Sequence, residues 1–419
     1  MRMKITNLRL NYYILIFGLL FGVVFYDVIQ FNLGFSYTDE ILAVILFFYL
    51  LLNPKRITRE FLFFLCLTIF YLAHSIYDQH NILPAIFTDF FIQVKPFIAF
   101  YAVYNLNFRI SEKHEKKIAK LSLVCAFLLL PVGLLNPGGG TLMDQFGGYS
   151  RYATIMIVLG TTYIIYSRQY KRKLYITLVI YSIGLLSLRS KMFGFYIAFV
   201  CVMFLWKKVS VKKLVSLKMV ILFSFMIIAV IYVAKEKIEF YFIDGLFADN
   251  MFARPLLYVK AIDILNDFPF FGTGFGSYAT FASAEYYSPL YYTYDLYISP
   301  EIGRGLYISD SYFPVFAQFG YVGFVLFVCF WFRLLKIAKT NFEIYNNELL
   351  FKLTILIFIF FIIESIADST FTHNRGMVML MLLAIILNNK YEAKDVLITS
   401  DPNLPVSYTH LRAHETRHD

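Results

Sequence analysis

Long apolar runs recur along almost the whole chain and dominate its pattern. A helix needs about 20 apolar residues to cross about 30 Å of hydrocarbon, and runs near that length predict about twelve transmembrane helices. The predicted spans are residues 12–30, 39–52, 60–76, 83–106, 118–135, 152–166, 174–188, 192–206, 214–233, 311–335, 349–367 and 376–387. The predicted fold class is therefore an all-α, polytopic membrane helix bundle.

The distribution of Lys and Arg between these runs predicts how the helices are oriented. Cationic residues concentrate before the first run and in every second connection, as in Lys113–Lys120 and Arg168–Lys173. The other connections are poor in Lys and Arg or carry acids such as Asp39 and Asp78. Because short cytoplasmic loops are enriched in Lys and Arg, the alternation predicts that both termini are cytoplasmic.

One predicted external connection is far longer than the rest. We expect nine helices over residues 1–233, a large external loop over residues 234–310, three helices and a cytoplasmic end over residues 311–395, and a tail over residues 396–419. Residues 407–419, SYTHLRAHETRHD, differ sharply in composition from the remainder. They resemble translated sequencing-adaptor sequence, so we treat them as non-native.

The long loop contains the segment RPLLYVKAIDILNDFPFFGTGFGSY, residues 254–278. Apolar residues at helical spacing between Pro255 and Pro269 predict an amphipathic helix that lies on the outer membrane surface or caps the bundle. The glycines that follow, Gly272, Gly274 and Gly276, suggest a nucleotide-binding loop. However, they follow a helix instead of a strand, with G-x-G-x-G spacing. We therefore interpret them as a tight chain reversal.

The composition agrees with a membrane protein and argues against several other classes. The chain is 59% hydrophobic and 16% charged, whereas soluble domains carry about 25% charged residues. The net charge of +10 arises mostly from the cytoplasmic loops and the tail, so it does not indicate a nucleic-acid partner. The four cysteines lie in apolar runs without a CxxC pattern, which favours core packing over a disulfide or a zinc site.

Cationic side chains at the predicted external ends of the helices form the candidate site. Arg151, Arg189 and Arg254 are expected at one external level, where their forked guanidinium groups would bind the diphosphate of a lipid-linked substrate. Cations in lipid are costly unless they face a partner or a wet cavity. The alternative for any one of them is that its apolar side-chain carbons lie in the lipid while its charged end reaches the membrane interface. The additional candidates are Lys95, Lys191 and Arg304.

Three motifs follow one another along the chain. They are LLSLRSKMFGFYIAF (185–199), the glycine-rich segment 254–278, and DSYFPVFAQFGYVGF (310–324). In order and topology they resemble the O-antigen ligase and polymerase family of polytopic bacterial membrane proteins, over about residues 140–340. The flanking helices agree with that family only in hydropathy.

This resemblance implies a fold like that of the C-type glycosyltransferases, and glycan transfer at the outer face of the inner membrane without a metal or other cofactor. The implied substrate is an undecaprenyl-diphosphate-linked oligosaccharide, in contact with membrane lipid, and a chain-length regulator is a further partner to consider. Polymerases transfer the growing glycan to the next lipid-linked repeat unit, which builds O-antigen, capsule or exopolysaccharide. Ligases transfer it to the lipid A core.

The histidine content of the long loop bears on the choice between these branches. The resemblance implies a histidine in that loop for a ligase, but the loop has none, and Asp310 stands at about the matching place. This difference favours a polymerase in which Asp310 accepts a proton. The alternative for Asp310 is the N-cap of a helix starting near Ser311. The external histidines His80 and His373 lie in other loops, and no motif connects them to the site.

Two further alternatives remain open. Asp89 is a candidate internal partner of Lys95. The tyrosine-rich segment of residues 285–307 is typical either of an interfacial aromatic belt or of a sugar-binding surface. A different class of protein, a lipid-linked oligosaccharide flippase, would show two similar halves. The single long loop in the second half of the chain argues against it.

Overall fold

A computed structural model describes residues 2–167, 170–206, 253–296, 308–309 and 311–388, and the elements in those ranges are all helical. In chain order the α-helices are α1 (Arg2–Leu19), α2 (Tyr26–Leu33), α3 (Thr38–Leu51), α4 (Arg59–Asp78), α5 (Leu83–Leu106), α6 (Glu112–Leu135), α7 (Thr141–Asp144), α8 (Gly148–Tyr166), α9 (Tyr170–Gly184), α10 (Ser190–Val200), α11 (Ala253–Asp267), α12 (Phe281–Glu285), α13 (Leu290–Thr293), α14 (Gly320–Tyr345), α15 (Glu348–Ala367) and α16 (Asn374–Asn388). Shorter 3₁₀ and π-helical turns are Leu20–Val24, Pro54–Arg56, Leu185–Ser187, Cys201–Leu205, Phe313–Gln318 and Thr370–Thr372.

The all-α prediction is confirmed. Every predicted span within the described residues overlaps an α-helix, with differences at two of them that are given below, while residues 214–233 lie outside the described residues. Among the described helices, six are long and apolar enough to cross a membrane: Asn7–Val24, Arg59–Asp78, Leu83–Leu106, Glu112–Leu135, Gly320–Tyr345 and Glu348–Ile366. Two shorter apolar helices are Ser190–Leu205 and Asn374–Asn388. The chain is therefore a polytopic helical membrane protein.

Helices α8 and α16 form the centre of the bundle. Residues 152–164 of α8 and residues 374–387 of α16 are all buried. Helix α8 packs on α6, α9 and α16, and α16 also packs on α5 and α15. A helix that is apolar on every side is expected in such a central position. Outer helices instead expose large apolar side chains, such as Leu128 and Phe332, as a lipid-facing surface requires.

The first predicted span, residues 12–30, is interrupted. A π-helical turn follows α1, and α2 begins only at Tyr26. The break turns the first residues of α2 into the bundle, so that Asp27 is only 4% exposed. A carboxylate that would be costly in lipid thereby reaches protein partners.

The span predicted to start near Ser311 begins later than expected. Pro314 lies in the 3₁₀ turn Phe313–Gln318, and α14 starts at Gly320 with Phe319 as its N-cap. The alternative that Asp310 caps this helix is therefore wrong, because the helix begins well beyond it. Asp310 itself lies outside the described residues.

The predicted amphipathic helix is α11. Leu257, Ala261 and Ile264 form its buried face, and the helix packs on the turn Phe313–Gln318. The phenol of Tyr278 donates a hydrogen bond to the Leu257 carbonyl at 2.8 Å. Helix α11 therefore caps other helical segments with its apolar face.

Part of the tyrosine-rich segment serves the folding of the loop itself. Tyr291 is fully buried, and its hydroxyl accepts from the Ala279 amide at 2.8 Å and lies 2.7 Å from Ser283 Oγ. Neither the aromatic-belt nor the sugar-binding alternative applies to this ring. Tyr292, which is 58% exposed, is the kind of side chain to which those alternatives still apply.

Candidate functional site

The glycine-rich turn of residues 272–277 is buried, and protein groups already accept from its backbone amides. Five backbone amides hold it, donor first: Thr273 N to Ala317 O (3.2 Å), Gly274 N to Gln318 O (2.8 Å), Phe275 N to Ser75 Oγ (2.8 Å), Gly276 N to Asp89 Oδ2 (2.8 Å) and Ser277 N to Gln318 Oε1 (3.0 Å). The second and third sequence motifs therefore interlock. The turn is structural, as we predicted from its spacing.

Glycine is required in this turn because the backbones approach very closely. Gly276 has φ of +71°, and a Cβ atom there would lie 2.7 Å from the carbonyl group of Ala85. Asp89 Oδ2 accepts from the Gly276 amide of this turn, and Asp89 Oδ1 accepts from Gln93 Nε2 at 3.3 Å. The suggested pairing of Asp89 with Lys95 is therefore wrong. Six residues of helix place the two side chains on different faces, and Lys95 reaches a different helix.

The first turn of α8 brings four charged groups together. The Arg189 guanidinium stacks over the Tyr149 ring, 3.6 Å from its centroid. The Ser150 hydroxyl donates to Asp368 Oδ2 at 2.9 Å. Arg151 Nη1 lies 2.5 Å from Asp27 Oδ1. Consecutive residues at one helix end thus contact segments that are distant in sequence.

Lys191 belongs to a buried ion network beside this turn. Its ammonium lies 2.6 Å from Glu364 Oε2 and 3.0 Å from Asp368 Oδ2. Thr370 donates a hydrogen bond to the same Glu364 oxygen at 2.6 Å. Two carboxylates therefore offset the cost of burying the Lys191 charge, and Lys191 does not extend to the interface by itself.

Two further ion networks flank the first. Asp27 pairs with the buried guanidinium of Arg375 in addition to Arg151. Lys95 Nζ lies 2.5 Å from Asp39 Oδ2 and 2.5 Å from Glu40 Oε1. These pairings join the start of α16 to α2, and the middle of α5 to the start of α3. All of the ends involved come from connections that the sequence predicts to be on one side of the membrane.

Charges from all three networks act on His373. It is partly buried, and the charges of Asp368, Arg151, Lys95 and Asp39 all act on its ring. We call the combined set the polar cluster. Its members are Asp27, Asp39, Glu40, Lys95, Tyr149, Ser150, Arg151, Arg189, Lys191, Glu364, Asp368, His373 and Arg375.

Burial and charge set the protonation states at the open edge of the polar cluster. Burial alone would raise the pKa of Asp368, but the Lys191 charge together with the hydrogen bonds from Lys191 and Ser150 and the influence of His373 holds that pKa below its ordinary value. Burial lowers the pKa of His373 to about 4, against the opposing charge of Asp368. At neutral pH, Asp368 is therefore an anion and His373 is a neutral ring.

Several of the predicted site residues meet in the polar cluster, and others lie outside the described part of the chain. Arg151, Arg189, Lys191 and Lys95 all belong to it. Arg304 and Asp310 lie outside the described residues, as does the side chain of Arg254.

The backbone still places Arg254 near the polar cluster. Arg254 lies in the first turn of α11. One turn later, the Tyr258 hydroxyl donates to the Ile366 carbonyl at 3.2 Å, two residues from Asp368. The start of α11 is therefore anchored beside the end of α15.

Glu364, Asp368, His373 and Arg375 also belong to this cluster, although the sequence motifs did not predict them. Two signals could have indicated them. Glu364 is an acid inside an apolar run, which is costly in lipid without a partner. The following connection, DSTFTHNR (368–375), concentrates polar side chains between two apolar helices.

Arranged in this way, the polar cluster can bind an anion and move a proton. Arg189 and Arg151 offer several N–H donors, and the Arg151 side chain is 40% exposed. A neutral imidazole and an ionised carboxylate lie alongside. Among the described residues, no group of His, Cys, Asp or Glu is arranged to hold a metal ion.

Comparison with known proteins gives one match. A family model described as O-antigen ligase matches residues 174–328. That range includes all three sequence motifs. No curated protein and no solved structure matches the chain.

Proposed function

Because the chain belongs to the O-antigen ligase and polymerase family by its match over residues 174–328, we propose that it polymerises undecaprenyl-diphosphate-linked repeat units at the outer face of the bacterial inner membrane. The family itself supports glycan transfer in general. The observation that carries the proposal is the meeting of Arg151, Arg189 and Lys191 at the first turn of α8. The absence of histidine from residues 234–310 favours the polymerase branch.

The reaction needs an anion site more than any other feature. The bond between the anomeric carbon and the diphosphate breaks as the acceptor hydroxyl attacks, and negative charge grows on the leaving diphosphate. Arg189 and Arg254 would bind two phosphate oxygens each through their forked donors, and Arg151 would add its exposed face. Lys95 and Lys191 are saturated by carboxylates. We therefore assign them to holding the site together.

Two residues outside the described part of the chain are assigned from the sequence alone. Asp310, in the third motif, is the candidate proton acceptor, and Arg304 is a further candidate for binding the diphosphate. The alternation of Lys and Arg supports cytoplasmic termini and an external polar cluster. No metal or cofactor is needed by this mechanism, since arginines stabilise the leaving group. A chain-length regulator remains a candidate partner.

Deletion of the gene in its native host tests the proposal. A polymerase mutant should retain single repeat units, lipid-linked or on the final acceptor, and lose long chains, as seen by gel electrophoresis of the extracted glycans. Wild-type protein supplied in trans should restore the chains. Accumulation of long lipid-linked polymer that never reaches its acceptor would identify a ligase. Retention of repeat units at the inner face would identify a flippase.

A further inference from the structure

The segment 368–375, which runs from the end of α15 into the first turn of α16, supplies the polar cluster with several groups that the three motifs do not contain. Asp368 pairs with Lys191, and Arg375 pairs with Asp27. His373 lies between these two residues in sequence and directly precedes the first residue of α16. Because α16 is buried throughout its length, this connection is held against the centre of the bundle.

The ring of His373 is oriented by one partner. Nε2 lies 3.1 Å from the Ser369 hydroxyl, and Ser369 is only 7% exposed. Among the described residues, the other ring nitrogen, Nδ1, has no hydrogen-bond partner, and the residue is partly exposed. A base whose ring is fixed through one nitrogen while the other remains open has the geometry of a proton acceptor.

The charges of four groups act on this ring. They are Asp368 at the end of α15, Arg151 of α8, Lys95 of α5 and Asp39 of α3. An arginine that would bind the leaving diphosphate is therefore close enough for its charge to act on the ring. A base and an anion site this close can serve the two sides of one displacement.

We propose that His373 is the general base that removes the proton from the acceptor hydroxyl during glycan transfer, in place of Asp310. This inference rests on the proposed function. As Nδ1 takes the hydroxyl proton, the acceptor oxygen forms its bond to the anomeric carbon. The bond from that carbon to the diphosphate oxygen breaks, and its electron pair leaves on the diphosphate. The imidazolium then returns its proton to water.

Donor binding would strengthen this base. In the free protein, burial lowers the pKa of His373 to about 4, which makes it a weak proton acceptor. A diphosphate held by Arg151 and Arg189 adds negative charge beside the ring, and nearby negative charge favours the imidazolium. The base therefore becomes effective once the donor is in place.

The test uses the purified full-length protein in lipid vesicles that contain undecaprenyl-diphosphate-linked repeat units. His373→Gln should lower the initial rate of elongation about a hundredfold or more, with normal solubility and thermal stability. His80→Gln is the matched control: His80 is another predicted external histidine whose pKa is lowered by burial, and its ring packs on Phe268. It should leave the rate unchanged.

Two further measurements separate a base from a structural side chain. Added imidazole should restore part of the rate of His373→Ala, because it supplies the missing base. In the wild type, the acid limb of kcat should lie at higher pH than that of kcat/KM, since kcat reports the donor-bound protein. His373→Gln should lose this acid limb.

Three results would overturn the inference: a His373→Gln rate within about threefold of wild type, a His373→Ala rate that imidazole does not restore, or an acid limb that persists in His373→Gln. If the wild type elongates no lipid-linked unit, the polymerase proposal fails instead. The same variants are then measured for transfer to a lipid A core acceptor. Loss of that transfer supports His373 as the base, and full transfer overturns it.

Discussion

The glycine-rich turn of residues 272–277 and the first turn of α8 both contact charged side chains, and both suggest a ligand site. They differ in whether their charged side chains remain exposed to solvent. In the glycine turn, buried protein groups accept from the backbone amides, and Asp89 is fully buried. At α8 the charges are also paired, but Arg151 and Asp368 keep 40% and 21% of their side chains exposed.

This comparison shows what glycine patterns do in a helix bundle. Gly276 permits the backbones of two segments to approach more closely than any side chain would allow. A ligand site is better sought where charged groups are balanced by partners and still partly open to solvent. By this criterion the polar cluster qualifies and the glycine turn does not.

The largest expected effect concerns the ion network of Lys191. Lys191→Met would leave Glu364 and Asp368 as uncompensated charges, and removing one partner of a buried ion pair costs about 3–5 kcal/mol. We expect that loss in the free energy of unfolding, measured in detergent by denaturant titration. The control is Lys260→Met, at a more exposed pair 3.5 Å from Asp263, which should cost at most about 1 kcal/mol. Equal costs for the two variants would mean that the network does not stabilise the bundle.

Gly276→Ala tests the other region. The new Cβ would meet the Ala85 backbone in a left-handed conformation, and the combined strain and overpacking cost about 3 kcal/mol. The control is Gly34→Ala, at φ of +65° with no atom within 4 Å of a new Cβ. That change should cost only about 1–2 kcal/mol from the backbone. Thermal unfolding followed by size-exclusion fluorescence measures both, and a Gly276→Ala melting temperature at or above that of Gly34→Ala would contradict the close approach.

A substitution at Arg189 is expected to change the free energy of unfolding least, although it should change the rate of elongation strongly. Arg189→Lys keeps the charge but loses the fork that binds two phosphate oxygens. Elongation should fall about a hundredfold while folding and topology stay normal, and Arg254→Lys should behave alike. Arg56→Lys, at an exposed residue on the predicted cytoplasmic side, should have no effect. Near-full activity of both Arg189→Lys and Arg254→Lys would remove these arginines from diphosphate binding.

The sequence predicted the helices well because hydrophobic runs report burial directly. Residues 83–106 were predicted as a span, and α5 has the same bounds. The start of α14 was placed too early because Tyr312, Val315 and Phe316 are apolar and buried without belonging to that helix. An apolar run does not reveal whether its first residues are α-helical or 3₁₀.

The pairings in the polar cluster were harder to predict, for a physical reason. Lys191 and Glu364 lie 173 residues apart, and helical periodicity carries information only over a few turns. Asp89 was matched to Lys95 because the two are close in sequence, whereas the true partners of Lys95 lie at the start of α3. Arg151 and Arg189 could be grouped from the sequence because both stand at the ends of predicted spans, where topology alone places them at one level.

The contact between Arg375 and Asp27 has a consequence for how the protein is made. The two residues are separated by 348 positions, so Asp27 enters the membrane long before its partner is synthesised. Until α16 is inserted, Arg151 is the one cation among the described residues that pairs with the Asp27 carboxylate. Formation of this late contact, between residues far apart in sequence, is a natural slow step in folding.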